Sequence, residues 1–396
     1  MRAFPSPWPA RTSARPGPVR KAAHALLIAL FLPAAAGAQQ GGGLQYMFRA
    51  SPAASSVRVP RFACPSPIAP LTDMSDMKTF YAPGATQSVI DKSRMSAYMQ
   101  RTQAPQQQKR ILTALVKSAM TDPADRQRIS DCITSHIANW AEAGALLQNL
   151  DKNNPTTHRQ AILTAIWTII GFANAYEVAS EIGTVPQTRK DAIDGWFRRL
   201  SDEILKEFTP PAQPRPKNYQ WLDGNSNHRY WAAAAVGLLA VHLQDRQHFE
   251  WSMNVLRSAL AEADADGSMK RELQRGGKSL HYQNYAMQPL AILVRLADAN
   301  GVKLTPDEET KLSAIARFSA ESFENPAALE TRLGIQQEKR PDMINWIDAY
   351  DDHFRRTDPK LAQYLEQLAV PNRGSFDKAC NVTCVTMLAE LKAQKE

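Results

Sequence analysis

Between Gly267 and Leu290 the chain reads GSMKRELQRGGKSLHYQNYAMQPL. Four basic side chains, a His, two Tyr, three Gln and an Asn fall within about seven helical turns of chain. These groups hold anions and move protons. A helix starting near Lys278 places Lys278, His281 or Tyr282, and Tyr285 on one face, with Asn284 flanking it. Pro289 lies one turn beyond Tyr285, where the helix bends or restarts. A plain core helix also spaces its aromatics this way. Packing alone does not require His, Tyr, Gln, Asn and Tyr at five consecutive positions.

The second stretch is NSNHRYW, residues 225–231. Asn and Ser are strong helix N-caps, so His228 falls in the first turn of the Ala-rich helix that follows. The positive end of that helix disfavours imidazolium and leaves a ring that can accept a proton. The plainer alternative is that Asn227 caps the helix and His228 is an incidental loop residue. The rest of the chain is read as a scaffold that brings these two segments face to face.

That scaffold is helical. Apolar residues recur at three- and four-residue spacing over Val89–Gln100, Lys109–Met120, Arg126–Leu150, Thr157–Ile182, Arg189–Phe208, His228–Gln244, His248–Ala263, Ser279–Ala299, Pro306–Phe323, Ile344–Arg355 and Asp377–Lys392. No alternating Val/Ile/Thr run argues for a strand. An all-α chain of short-looped antiparallel hairpins, without a fixed repeat period, points to an incomplete (α/α) toroid with a cleft at one mouth.

Residues 1–38 read as a secretory signal. Arg11, Arg15, Arg20 and Lys21 precede the apolar run Ala22 to Leu32, and Ala36-Gly37-Ala38 is a small-residue cleavage site. Residues 39–63 read as a flexible segment and 64–396 as one catalytic domain. The net charge is +8, and removing the five basic residues of the leader leaves +3. Lys/Arg runs interleaved with aromatics are lacking, which argues against nucleic acid, and no segment after the leader reads as a membrane span. Of the four cysteines, Cys380 and Cys384 are close enough to pair locally, which leaves Cys64 with Cys132. A metal site is the competing reading, without His-rich or CxxC spacing to support it. Export with disulfides places the expected protein in the periplasm or outside the cell, as a monomer.

NSNHRYW followed by the 267–290 stretch resembles the alginate lyases of polysaccharide lyase family 5, which carry NNHxYW-like and xYxNYAxxPL-like segments. NWAEAGALL (139–147) and NWID (345–348), the latter preceded by Arg340, extend the likeness over roughly residues 64–355. The resemblance implies the toroid again. It also implies β-elimination on a polyuronate, mannuronate-rich alginate first, with no metal or other cofactor and an anionic polysaccharide as partner. A glucuronate-containing polymer, or a toroid that binds without cutting, are the alternatives. By the resemblance Asn227, His228, Tyr285 and Lys278 are catalytic, while Arg275, Gln160, Tyr230, Trp231, His281 and Arg340 bind substrate. Asn227 and a basic residue neutralise the uronate carboxylate, His228 joins them or acts as base, and Tyr285 protonates the leaving oxygen. If Tyr285 is also the base, nearby positive charge has to depress its pKa. Two departures stand out. Lys278 lies seven residues before Tyr285 where the family usually has Arg one or two turns before the tyrosine, with Arg275 as the other cation, and residues 158–163 keep Gln160 but lack a Trp pair.

Overall fold

The helices of the chain form two concentric layers. A computed structural model describes residues 43–47, 62–83, 88–150, 154–209 and 226–374. The inner layer is α2 (Gln103–Thr121), α4 (Pro155–Ile182), α6 (Asn227–Leu243), α9 (Ser279–Ala299) and α12 (Ile347–Thr357). The outer layer is α3 (Arg126–Glu142), α5 (Gln187–Phe208), α7 (Arg246–Glu262), α10 (Pro306–Glu324) and α13 (Pro359–Ala369). Short α1 (Lys92–Arg101), α8 (Lys270–Leu273) and α11 (Ala327–Leu333) join them.

The layering follows from side-chain distribution. Trp231 to Val241 in α6 is apolar all round and completely buried, as an inner helix has to be. Helix α7 carries its apolar residues on one stripe and shows the other face to water. Around the ring α2 packs on α4, α4 on α6, α6 on α9 and α9 on α12, while outside them α3 packs on α5 and α10 packs on α7 and α13. Among the described residues there is no strand, only the isolated bridges Asp73–Gln148 and Tyr81–Ile90. Residues 156–182 are long and apolar enough to cross a membrane, but 94% of their most apolar window is buried inside the protein, so α4 is a core helix.

The expected elements need several corrections. The helix expected over 126–150 stops at Glu142, because Gly144, Leu146 and Asn149 adopt positive φ and residues 146–148 pair with Leu71–Met74. Helix α13 was not expected, although Asp358 caps it by accepting from the Leu361 N–H and Pro359 opens it. Helix α9 runs on through Pro289, so of the two expected outcomes, a bend or a restart, the restart is excluded. Residues 43–47, expected to be flexible, are docked: Leu44 exchanges two hydrogen bonds with Gln244, at 2.7 and 3.0 Å, and Tyr46 packs on His242. Cys64 and Cys132 form a disulfide that ties the first described stretch of the domain to α3. The expected leader, the Cys380–Cys384 pair and the helix 377–392 lie outside the described residues.

Candidate active site

Helices α2, α4, α6 and α9 present their N-terminal halves at one mouth of the ring. There they line a cavity of about 390 Å³. Helix α4 contributes Arg159, Gln160 and Trp167, α6 contributes Asn227 and His228, and the first two turns of α9 contribute His281, Tyr282 and Tyr285. Each of these helix ends also brings a fractional positive charge. Five basic side chains line the cavity against one acid, Asp342. The surface is built for an anion.

His228 is the second residue of α6, whose cap position is Ser226. Burial, then the charges of Arg275 and Arg159, push its pKa well below the ordinary histidine value, so the ring is a neutral base. The expectation of neutrality holds, but desolvation is its main cause. Beside it, Asn227 is fixed by Glu272 of α8: its backbone N–H and its side-chain Nδ2 donate to the two carboxylate oxygens at 2.8 and 2.7 Å. Among the described residues, Asn227 Oδ1 is buried without a hydrogen-bond partner.

Tyr285, from the second turn of α9, lines the same cavity. Burial and the neighbouring Tyr282, Tyr81 and Tyr98 push its phenol well above 10. The lowered pKa that a basic Tyr285 would need is not what the site gives it: at rest its phenol is protonated. Its ring stacks on His281 at 5.8 Å and packs against Trp231 at 5.3 Å. Burial brings the His281 pKa down to about 4, so this imidazole is neutral too. One turn back, the Tyr282 hydroxyl meets that of Tyr81 at 2.5 Å, while the Arg275 guanidinium lies 4.5 Å over the Tyr282 ring. Lys278 Nζ sits 3.3 Å from Glu338 Oε2, and Arg340 is held by Glu338 and Asp342 at 3.1 and 3.2 Å.

Comparison with known proteins agrees with this geometry. The alginate lyase family matches residues 76–329 of the chain. The chain belongs to the alginate lyase family. The alginate lyase of Pseudomonas fluorescens is 26% identical over 227 residues, 56% of this chain and 57% of that protein. That of Azotobacter vinelandii is 25% identical over 301 residues, 73% of this chain and 75% of the relative. The chain thus spans under three-fifths of the Pseudomonas relative. The fold is that of alginate lyase A1-III: a His-to-Ala variant complexed with tetrasaccharide superposes with a TM-score of 0.61 at 19% identity, covering 74% of this chain and 80% of that one. The structure of alginate lyase A1-III from Sphingomonas species A1 gives 0.59 at 20% identity, over 76% and 81%.

In this family member the cavity gathers eight of the ten residues expected at the site: Asn227, His228, Tyr285, Lys278, Arg275, Gln160, His281 and Arg340. Tyr230 and Trp231 are corrections. Both are buried in the core and neither lines the cavity, because three and four residues past Asn227 the helix has already entered the packed interior. Gln283 and Asn284 are structural. Gln283 accepts from the Met269 N–H at 3.0 Å, and Asn284 accepts from the Trp346 indole at 2.9 Å. Trp167, Arg159, Glu272 and Tyr81 were not anticipated. Trp167 was legible: seven residues beyond Gln160, it falls on the same face of α4. Trp167 therefore lines the cavity beside Gln160, beyond the 158–163 stretch that lacks a Trp. Arg159 adjoins Gln160, but Glu272 and Tyr81 carry no local signal.

Proposed function

We propose that this protein is a lyase that cleaves alginate by β-elimination, with mannuronate-rich chains as its substrate. The observation that carries the reading is the pairing of protonation states on one cationic cavity: a neutral imidazole at His228 and a protonated phenol at Tyr285. The C5 proton of a uronate is a poor acid, because the adjacent carboxylate opposes carbanion formation. Neutralising that carboxylate stabilises the enolate that develops as the proton leaves. A base takes the C5 proton, the C5–H electron pair becomes the C4=C5 double bond, and the C4–O4 pair departs with the oxygen. Tyr285 then supplies the proton that completes the new hydroxyl.

On mannuronate the C5 hydrogen and the C4–O4 bond lie on the same face of the ring, and a single wall of proton-transferring groups serves both. The Tyr81, Tyr282 and Tyr285 phenols gathered against α9 support that same-face arrangement. For Tyr285 to act at both atoms its phenol must first lose its own proton, which its raised pKa opposes. On guluronate the two bonds lie on opposite faces, and His228 would be the base with Tyr285 the acid. The signal-like leader and the Cys64–Cys132 disulfide support a periplasmic or secreted location.

The test is the ultraviolet absorbance of the conjugated double bond when the protein meets polymannuronate, polyguluronate, polyglucuronate and hyaluronan. A rise on polymannuronate that His228→Ala abolishes supports the reading. A flat trace across the panel from folded protein, with polymer still bound, replaces it with a binding toroid.

A further inference from the structure

Cys132 and His136 are one turn apart on α3, so both side chains leave the same face of the helix. Cys64 meets that face from the segment before Ile68, and its sulfur lies 3.8 Å from His136 Nε2. The two sulfurs and an imidazole nitrogen all fall within 4.8 Å of one another. In the folded protein the sulfurs are bonded as a disulfide. A disulfide does not need a buried imidazole beside it. Two thiolates and a neutral imidazole, by contrast, are a zinc ligand set.

The segment that carries Cys64 has other anchors. The Phe62 N–H donates to Asp125 Oδ2 at 3.2 Å, and Arg128 Nη2 donates to Phe62 O at 2.9 Å. The Ile68 N–H donates to Gln108 Oε1 at 3.3 Å, and the Trp140 indole donates to Ile68 O at 3.2 Å. Cys64 is thus held from both sides, and opening the bond leaves its thiol beside Cys132 and His136. We propose that, once a dithiol has opened the Cys64–Cys132 disulfide, the two thiolates and His136 bind a zinc ion that fastens the 62–68 segment to α3 in its place.

The exchange balances. Cys64 is exposed and Cys132 is buried. A thiolate of the dithiol attacks Cys64 Sγ, and Cys132 leaves as a thiolate. The second thiol of the reagent then closes its own disulfide and releases the Cys64 thiolate, so two electrons pass from the dithiol to the protein. Zinc displaces the two thiol protons, and its two charges cancel those of the thiolates, so the site is neutral overall.

The geometry suits a tetrahedral ion. Bonds of about 2.3 Å to sulfur and about 2.0 Å to nitrogen set a sulfur and a nitrogen about 3.5 Å apart, and two sulfurs about 3.8 Å apart. The first spacing is close to the one present, and the second requires the freed sulfurs to turn apart. A water reached from the exposed Cys64 side completes the tetrahedron. His136 Nδ1 faces the Gln108 amide, 2.9 Å from Nε2 and 3.3 Å from Oε1. With the disulfide closed, Nδ1 accepts from that amide and the His136 Nε2–H donates to Pro65 O at 3.0 Å. With zinc on Nε2, the ring proton sits on Nδ1 and donates to Gln108 Oε1, the arrangement that orients a zinc-bound histidine. Burial already holds the ring below the ordinary histidine pKa, which suits a neutral ligand.

The test uses the full chain carrying Cys380→Ser and Cys384→Ser, so that two thiols remain, reduced under nitrogen with a phosphine that binds zinc weakly. Cobalt(II), a coloured stand-in for zinc, should produce a sulfur-to-cobalt charge-transfer band that saturates at one equivalent and that zinc abolishes. Zinc should restore the thermal midpoint lost on reduction, and the oxidised protein should take up neither metal. His136→Ala should weaken cobalt binding by the reduced protein by more than about tenfold. Should His136→Ala not fold, Cys64→Ser carries the test: it changes an exposed side chain, removes one ligand, and should lose the band. Absence of the band at one equivalent, or an undiminished band in His136→Ala or Cys64→Ser, overturns the site.

Discussion

Asn227 and Glu272 are joined by two hydrogen bonds, one from the backbone N–H of Asn227 and one from its side-chain amide, to the two oxygens of a single buried carboxylate. Both residues are excluded from solvent. A residue on four-residue α8 therefore sets the rotamer of a site residue 45 positions away and caps the start of α6. Glu272→Gln cannot reproduce this, because an amide presents one acceptor and a donor where two acceptors are needed. We expect it to lower stability by about 1–3 kcal/mol and to cut the elimination rate at least tenfold. Thermal unfolding and absorbance kinetics on the same preparation check both.

Tyr285→Phe removes the hydroxyl and keeps the ring against His281 and Trp231. Elimination should fall by about 10²- to 10⁴-fold, the usual loss for a proton-transfer group, with little change in thermal midpoint. Undiminished activity in Tyr285→Phe would remove it from the mechanism.

The protonation of His228 sets an acid limit. Its folded pKa is lowered, first by burial and then by Arg275 and Arg159, so the neutral form persists well below the ordinary value of 6.5. We expect the acid limb of kcat/KM to lie below that value and to move upward in Arg275→Gln, where one depressing charge is gone. A pH–rate profile of the two proteins decides it, and an unshifted limb would assign the titration to another group.

His353 should make stability fall with alkali. It is buried between Asp298 Oδ2 at 3.1 Å and Glu309 Oε2 at 2.9 Å, and joins α9, α10 and α12. Burial opposes its charge, but the two carboxylates outweigh that and raise its pKa above 6.5. A raised folded pKa means that the stabilisation is complete below the unfolded value and is lost as pH climbs through the folded one. The thermal midpoint should drop as pH rises from the ordinary histidine value of 6.5 through the raised folded value, and His353→Gln should flatten that drop. Identical curves for the two proteins would place the pH dependence elsewhere.

Reduction of Cys64–Cys132, which closes a separation of 68 residues, should cost about 2–4 kcal/mol of stability. Neither cysteine lines the cavity, so elimination measured below the lowered midpoint should persist. Denaturant unfolding with and without reductant gives the first number, and the absorbance assay gives the second.

How much of this was legible varies with the range of the interaction. Helix periodicity is a property of neighbours three and four apart, so most helices and the all-α class could be read from the chain. Helix α3 ran short of its reading because residues 146–148 pair with 71–74, a long-range bond that periodicity does not register. The two motif segments also announced themselves, through a density of polar residue types unusual for a core helix. Only the folded ring could decide what each group does. Gln283 and Asn284 look like their neighbours in sequence but point to Met269 and Trp346. Tyr81 reaches Tyr282 across 201 residues. Burial, which depends on every surrounding helix, keeps Tyr285 protonated and His228 neutral. Sequence fixes which side chains are available and on which face of a helix each begins. Their charge states and partners depend on desolvation and on contacts between distant segments, and those exist only once the ring has closed around them.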